Sequence, residues 1–530
     1  MFRKISKYFI LGVITIAVGA FSASSLILPA PLPENSPTDV FSAGRAEKHI
    51  AEISRDIHTA GSSDTNRVVS YLVNTLETFE IDGQIQKGSA DGQNFGIQNV
   101  VARIPGKNPG NAILIITHFD STPFGPGAGD NASGTAVLLE TARVLKTNPQ
   151  LDNDIILLFE DGEEWGYLGG YLFTREHPWM KDVKVVIGLD TAAWGPAILL
   201  QTTPDNGFLI DGYAQGVNNP AAYGFFADAN WNIAHDDSEL QPFVEKGIPG
   251  IEFEDPYASM VKHSAADTLE LVNLGSVQQM GNQVSDLVRQ YGIMDLSQVT
   301  GSDKSFFTIP GMKAVTYPAW LNQVLAIISV FIFAFLSIIA VNKNTLDGKK
   351  FKISIAFMII LIAISAILSI IASGIFSTVF PKTNPRIDNY LPAAGLPCFI
   401  GYMVLIITVF AFCHGWMARK TGHQQMAASI RLIWVLTGLA FAFILKVGSY
   451  GFIWPVVISL AAWGIQLFLP EEQSRIPYRA LTILALLTGI TFFAPDLCLA
   501  FMSTGFGLTG LPLVSIITLL LEELFMIASE

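Results

Sequence analysis

The stretch Thr117-His118-Phe119-Asp120-Ser121-Thr122-Pro123-Phe124-Gly125-Pro126-Gly127-Ala128-Gly129-Asp130-Asn131-Ala132-Ser133-Gly134 decides how the chain is read. It follows an apolar run, Asn111–Thr117, and leads into Ser133–Lys146, where Ala136, Val137, Leu139 and Leu145 recur at helical spacing. Strand, glycine-rich turn and helix succeed one another, with His118, Asp120 and Asp130 gathered around the turn.

Further short β-type runs are expected at Gln98–Ile104, Asp154–Phe159, Val183–Leu189, Ala197–Thr202 and Gly250–Phe253. Helical patterns occupy 38–80, interrupted at Ala60-Gly61-Ser62-Ser63, and then Gly166–Glu176, Asp205–Gly216 and Asn273–Tyr291. Continuous apolar strands alternating with helices predict an α/β fold, a mostly parallel mixed sheet flanked by helices. In such sheets ligands collect at the carboxyl ends of strands. His118, the adjacent glutamates Glu163 and Glu164, and Asp190 all fall at such ends, and His263 follows a later apolar run.

Composition divides the chain. Residues 317–530 hold 8 acidic and 12 Lys/Arg side chains, leaving 37 acidic and 20 basic in the first 316, a local balance of −17 within a total of −13. That acidity argues against nucleic acid as a partner, because such binding rests on phosphate neutralisation by Lys and Arg. The three cysteines, Cys398, Cys413 and Cys498, all lie in the apolar part. Metal ligands in the acidic part are therefore oxygen and imidazole, which suit zinc, manganese or cobalt.

Arg3, Lys4 and Lys7 precede an apolar run from Tyr8 to Leu28 of about 20 residues, long enough to span a bilayer. The small-residue pattern near Ser22–Ser25 makes a poor cleavage site, so residues 1–29 are expected to be an uncleaved anchor rather than a signal peptide. After Pro318, seven apolar segments follow at roughly 319–341, 353–379, 391–413, 430–447, 449–469, 480–496 and 504–526, an all-α multi-span membrane domain. With a cytoplasmic N-terminus, nine Lys/Arg of the connecting loops fall inside and three outside, in line with the positive-inside bias. Residues 30–300 are then an extracytoplasmic or lumenal domain, and 301–318 a linker. Lys446, Asp496, Glu522 and Glu523 sit near the expected span ends, where interfacial placement accounts for them without a transport role.

Two divalent ions about 3.5–4 Å apart need a shared carboxylate, with a further histidine and acid for each. Asp130, returned by Gly125, Gly127 and Gly129, can be the shared group. Asp120, two residues from His118, can accept the second imidazole N–H and fix its tautomer. Adjacent glutamates cannot both face one point, so one of Glu163 and Glu164 can ligate while the other acts as general base toward an attacking water. Taken singly, each residue has a plainer reading. A lone histidine packs in a loop, an acidic pair opens a helix, and Asp130-Asn131 caps one.

Together His118-Phe-Asp120, Gly127-Ala-Gly-Asp130-Asn-Ala-Ser-Gly134, Asp161-Gly-Glu163-Glu164, Asp190 and His263-Ser-Ala-Ala-Asp267-Thr268 resemble the M28 family of di-zinc peptidases over residues 45–292. The membrane-bound branch typified by endoplasmic reticulum metallopeptidases is the nearer likeness, supported by Gln201–Asn206, Asp237-Ser238 and Phe243–Gly250. The resemblance implies a zinc-exopeptidase-like fold and two zinc ions per chain. One ion would be held by His118, Asp130 and Asp190, the other by Asp130, Glu164 and His263. It also implies Glu163 as general base, Asp120 as support for His118, and a peptide as substrate. Two positions depart from the branch: Lys262-His263-Ser264 replaces an aromatic-His-Thr pattern, and Asp190 stands where the branch often has Glu. Two other functions compete with the peptidase, a one-zinc glutaminyl cyclase-type acyl transfer and a non-catalytic scaffold on the same fold. His58, His177, His235 and His423 carry no partner pattern and are expected to be structural. His235-Asp236-Asp237 reads as a polar loop or a substrate-pocket element. The Asn131-Ala-Ser133 sequon lies inside the loop, where glycosylation is not expected.

Overall fold

The computed structural model describes residues 2–89, 95–234, 238–379 and 392–504. The chain sorts into one unit of residues 26–316 and another formed by the first 25 residues with 317–530. The N-terminal helix α1 (Phe2–Ala23) thus belongs with the later apolar segments rather than standing alone.

In the 26–316 unit, α2 (Ala43–Ile53) and α3 (Ser63–Thr78) are each opened by a serine, Ser42 and Ser62, whose side chain accepts a backbone N–H of the first turn. A seven-stranded sheet runs in the order β1-β2-β4-β3-β5-β7-β6. Its strands are β1 (Gly83–Ser89), β2 (Gly96–Ile104), β3 (Ala112–His118), β4 (Asp154–Glu160), β5 (Val183–Leu189), β6 (Ile198–Thr202) and β7 (Gly250–Glu254). The central four, β4-β3-β5-β7, are parallel, whereas β1, β2 and β6 join antiparallel at the edges. Every residue of β3 and β4 is buried, as expected for strands covered on both faces. Helices α4 (Ala132–Thr147), α5 (Leu168–Glu176), α6 (Gly207–Gly216), α7 (Gly224–Ala229), α8 (Gln241–Val244) and α9 (Leu274–Tyr291) complete the layers. Ile116, Leu114, Leu158, Val186 and Phe243 share one core cluster.

The edge strand β1 has no apolar alternation to announce it. Residues 301–318, read as linker, instead contain the hairpin strands β8 (Lys304–Phe307) and β9 (Val315–Pro318). Lys304 N–H donates to the Asn206 side chain and Thr308 Oγ1 accepts from Ala222 N–H, which fastens the 304–308 segment to this unit.

The other unit adds α10 (Trp320–Asn342), α11 (Gly348–Val379), α12 (Pro392–Thr421), α13 (His423–Ile444), α14 (Tyr450–Phe468) and α15 (Glu471–Thr504) to α1. Among the described residues, Trp320–Asn342, Gly348–Leu368, His423–Ile444, Tyr450–Phe468 and Glu471–Ala500 are long and apolar enough to cross a bilayer. Helix α12 is not among those five, and the expected 504–526 span lies outside the described residues. Helix α15 runs through Pro477 and Pro495, so the expected boundary at 496 falls inside it. Asp496 is consequently an internal residue of that helix and is buried against the rest of the unit.

One buried charge ties the N-terminal part of the 26–316 unit to its sheet. Glu140, fully buried on α4, accepts from Arg45 Nε, Arg143 Nε and Nη2, and the Ser42 backbone N–H. Removing the carboxylate strands two guanidinium groups, so Glu140→Ala is expected to cost about 3 kcal/mol of stability. Urea titration of the full chain in detergent checks this, and a loss within about 0.5 kcal/mol, the range of ordinary surface substitutions, would contradict it.

Candidate metal centre

The parallel core delivers the site. His118 is the last residue of β3 and Asp190 follows β5 directly. Glu163 and Glu164 sit in a 3-10 turn after β4, and Asp130 stands at the entry to α4. Two glycines make the loop between His118 and Asp130 possible. Gly127 takes φ +65°, and a Cβ at Gly125 would collide with the Ser264 carbonyl, so only glycine lets this loop lie against the one bearing His263. His263 itself is held at φ +62°.

Asp130 lies between the two imidazoles. Its Oδ1 is 3.3 Å from His118 Nε2 and its Oδ2 is 3.1 Å from His263 Nε2. On one side Asp190 Oδ1 and Glu163 Oε2 each lie 3.7 Å from His118 Nε2. On the other, Glu164 Oε2 lies 3.0 Å from His263 Nε2. Asp130, Glu164 and His263 offer ligand atoms all within 4.8 Å of one another, and so do His118, Asp190 and Glu239. Glu164 Oε1 and Glu239 Oε1 are buried with no hydrogen-bond donor directed at them, and Asp130 Oδ2 meets the His263 imidazole. Buried carboxylate oxygens without donors, facing imidazole nitrogens, fit divalent cations with mixed N/O ligation.

Asp120 acts on two neighbours. His118 Nδ1 lies 3.1 Å from the Asp120 backbone carbonyl and 3.5 Å from its carboxylate, which also accepts the Glu163 backbone N–H. The imidazole is thus oriented mainly by the main chain of Asp120, while the carboxylate expected to do so also holds the turn carrying Glu163. Asp267 was quoted only as part of a motif. It accepts from Gly129 and Asp130 N–H and so fixes the shared carboxylate. Asn131 is fully buried: its side chain donates to Thr117 Oγ1 and the Leu189 carbonyl and accepts from Gly134 N–H, which leaves no amide for glycosylation. His58 is buried, with Nδ1 against the Asp56 carbonyl, and His177 stacks on Phe173. His235-Asp236-Asp237 lies outside the described residues.

Electrostatics follow from crowded carboxylates. Burial alone would lower the His118 pKa, but Glu163, Asp120, Asp130 and Asp190 hold it well above its ordinary value. Burial lifts Glu163 well above the usual carboxyl range, with Glu164 and Asp190 adding to it. Asp190 is lowered against its own burial chiefly by Lys262, whose Nζ lies 3.5 Å from Asp190 Oδ2 and 3.2 Å from Glu254 Oε1. Glu239 and Glu252, a pair that the sequence reading did not single out, are raised by burial and share a hydrogen bond.

Residues 99–288 match the profile of peptidase family M28. Endoplasmic reticulum metallopeptidase 1 of Mus musculus is 26% identical over 314 residues, covering 54% of this chain and 35% of the mouse protein. The chain therefore spans about a third of that relative's length. Among solved structures, glutaminyl cyclase of Porphyromonas gingivalis is 21% identical over 47% of this chain and 99% of its own, with a TM-score of 0.40. BSAP, a zinc aminopeptidase from Bacillus subtilis, is 18% identical over 49% of this chain and 97% of its own, with a TM-score of 0.39.

Stability without metal should fall with pH above about 6.5, where the buried His49 and His58, whose pKa values burial lowers, no longer oppose the trend. Burial raises Glu160 to about 8 and both Asp161 and Asp267 to about 7, while Asp130 and Glu164 raise His263 to about 10. Each group binds its proton more tightly folded than unfolded. Stability is therefore lost as pH rises from the unfolded carboxyl values toward the folded ones. In chelator, the melting temperature is expected to fall between about pH 6.5 and pH 8. Tryptophan-fluorescence melting across that range reads it out, and a flat or rising profile would sink this account.

Proposed function

Taking residues 99–288 as a peptidase family M28 domain, we propose that the chain is a membrane-anchored, zinc-dependent exopeptidase of aminopeptidase type with two zinc ions per chain. The observation that carries this reading is the position of Asp130, one oxygen toward each imidazole, with Glu163 beside His118 and outside both groups of converging ligands. His118, Asp130 and Asp190 would hold one ion, and Asp130, Glu164 and His263 the other. A zinc pair bound there supplies Lewis-acid activation of water and of a peptide carbonyl.

The remaining work belongs to the chain. Glu163, raised by burial and anchored through its backbone to Asp120, takes a proton from the attacking water and returns it to the departing amine. Asp120 holds His118 and Glu163 in mutual register, and Asp267 holds Asp130. The length and apolarity of the helices support a lipid bilayer as the setting of the protein. The loop-charge bias supports a cytoplasmic N-terminus and an extracytoplasmic or lumenal peptidase domain.

Glu163→Gln in the full-length protein in detergent should lower peptide hydrolysis by roughly 10²–10⁴-fold while leaving the zinc content unchanged. Undiminished hydrolysis would remove Glu163 from its role. The zinc count separates the readings further: near two per chain favours the peptidase, near one the cyclase-type transfer, and none the scaffold.

A further inference from the structure

Two sides of the centre are unequally supplied with charge. On the His263 side, Glu164 and one oxygen of Asp130 meet the imidazole with no cationic side chain within ion-pair distance of them among the described residues. On the His118 side, Lys262 already occupies Asp190 Oδ2. An ammonium so close opposes a divalent ion and takes up part of the carboxylate that should bind it. The pair His118–Asp190, with its share of Asp130, is thus a weak cation site by itself.

Glu239 answers that deficit. It lies between β6 and β7 in sequence, just before α8, and is 2% exposed. One of its carboxylate oxygens falls within 4.8 Å of ligand atoms on both His118 and Asp190. Its Oε1 has no hydrogen-bond partner although water is excluded, which is costly unless a cation is there to meet it. Behind it stands a rigid support. Glu252 on β7 hydrogen-bonds to Glu239 and itself accepts from Ser238 Oγ at 2.7 Å and from the Gln201 side chain on β6. Outer partners of this kind orient a ligating carboxylate.

We propose that Glu239 is a further ligand of the zinc ion on the His118 side, making up for the carboxylate charge that Lys262 draws from Asp190. The assignment rests on the two-zinc reading above but adds a residue that reading does not contain. Glu252, Ser238 and Gln201 are its positioning groups.

Zinc binding to the full-length, chelator-stripped protein in detergent tests this, with bound metal measured by equilibrium dialysis. Wild type should take two ions per chain. Glu239→Gln, which keeps the shape and removes the charge, should bind the first normally and the second at least about tenfold more weakly. Its melting temperature in chelator should equal or exceed that of wild type, whereas a purely structural carboxyl would lower it. Two ions bound with wild-type affinity by E239Q would overturn the proposal and leave the peptidase reading intact. Two ions bound by wild type without peptide hydrolysis would do the reverse. Should E239Q misfold, zinc anomalous density in crystals of the loaded wild type decides: a Glu239 oxygen about 2.0–2.2 Å from the ion is expected, and one beyond about 3 Å contradicts it.

Discussion

The position of one carboxylate governs the site. Asp130 must present its two oxygens to imidazoles that come from widely separated parts of the 26–316 unit's sequence, and little slack is left. Asp267 grips the backbone on its N-terminal side, accepting from Gly129 and Asp130 N–H. Asn131 grips the other, its amide spanning β3 and β5 through Thr117 and Leu189. The same asparagine caps α4, so the helix start, the two central strands and the shared carboxylate move as one body. A loop this confined needs residues without side chains, which is why Gly125 can lie against Ser264 and Gly127 can turn the chain back.

The central strands were legible because their apolar runs are unbroken, and burial on both faces of a parallel sheet demands that pattern. Of the seven candidate residues that the structure brings together, six stand out in the sequence because strand ends and a glycine turn locate them, and His263 stands out by its motif. What escaped lacks such signals. Strand β1, Gly-Gln-Ile-Gln-Lys-Gly-Ser, is a polar edge held by backbone pairing to β2, and edge strands need no apolar alternation. The 301–318 hairpin is short and is fixed by contacts to residues about a hundred positions away, a long-range effect that no local pattern encodes. Glu239 and Glu252 have no spacing that ties them to the other candidate residues, and only the fold buries them together. Asp267 and Lys262 lay in plain view beside His263, yet their partners, Asp130 and Asp190, are set by tertiary approach.

The membrane unit shows the same limit on a larger scale. Hydropathy locates apolar stretches but not the helix that carries them, so α15 absorbs an expected boundary at Pro495 and buries Asp496. Proline within a helix of such a unit is tolerated where neighbouring helices re-satisfy the backbone. Arg431, counted among the loop charges, is likewise buried on α13, with Nε 3.0 Å from Ser459 Oγ and its guanidinium 5.3 Å from the Trp463 ring. The hydroxyl and the aromatic face of α14 offset its removal from water. Charge in this unit therefore does structural work inside the bundle.

Exposure changes across the centre in a way that bears on how a substrate reaches it. The His118 side chain is 1% exposed and that of His263 46%. Trp165, directly after Glu164, and Phe124, on the glycine loop that touches the His263 segment, stand 44% and 65% exposed. The centre therefore opens on the His263 side, flanked by apolar rings, and narrows on the His118 side, where the partly buried Asp190 and Lys262 lie near the buried Glu239 and Glu252. Charged groups packed on the narrow side are poorly screened, so they hold the electrostatic character of the centre. A buried, charge-dense floor beneath a partly apolar mouth is an arrangement in which binding and bond-breaking can be tuned by different residues.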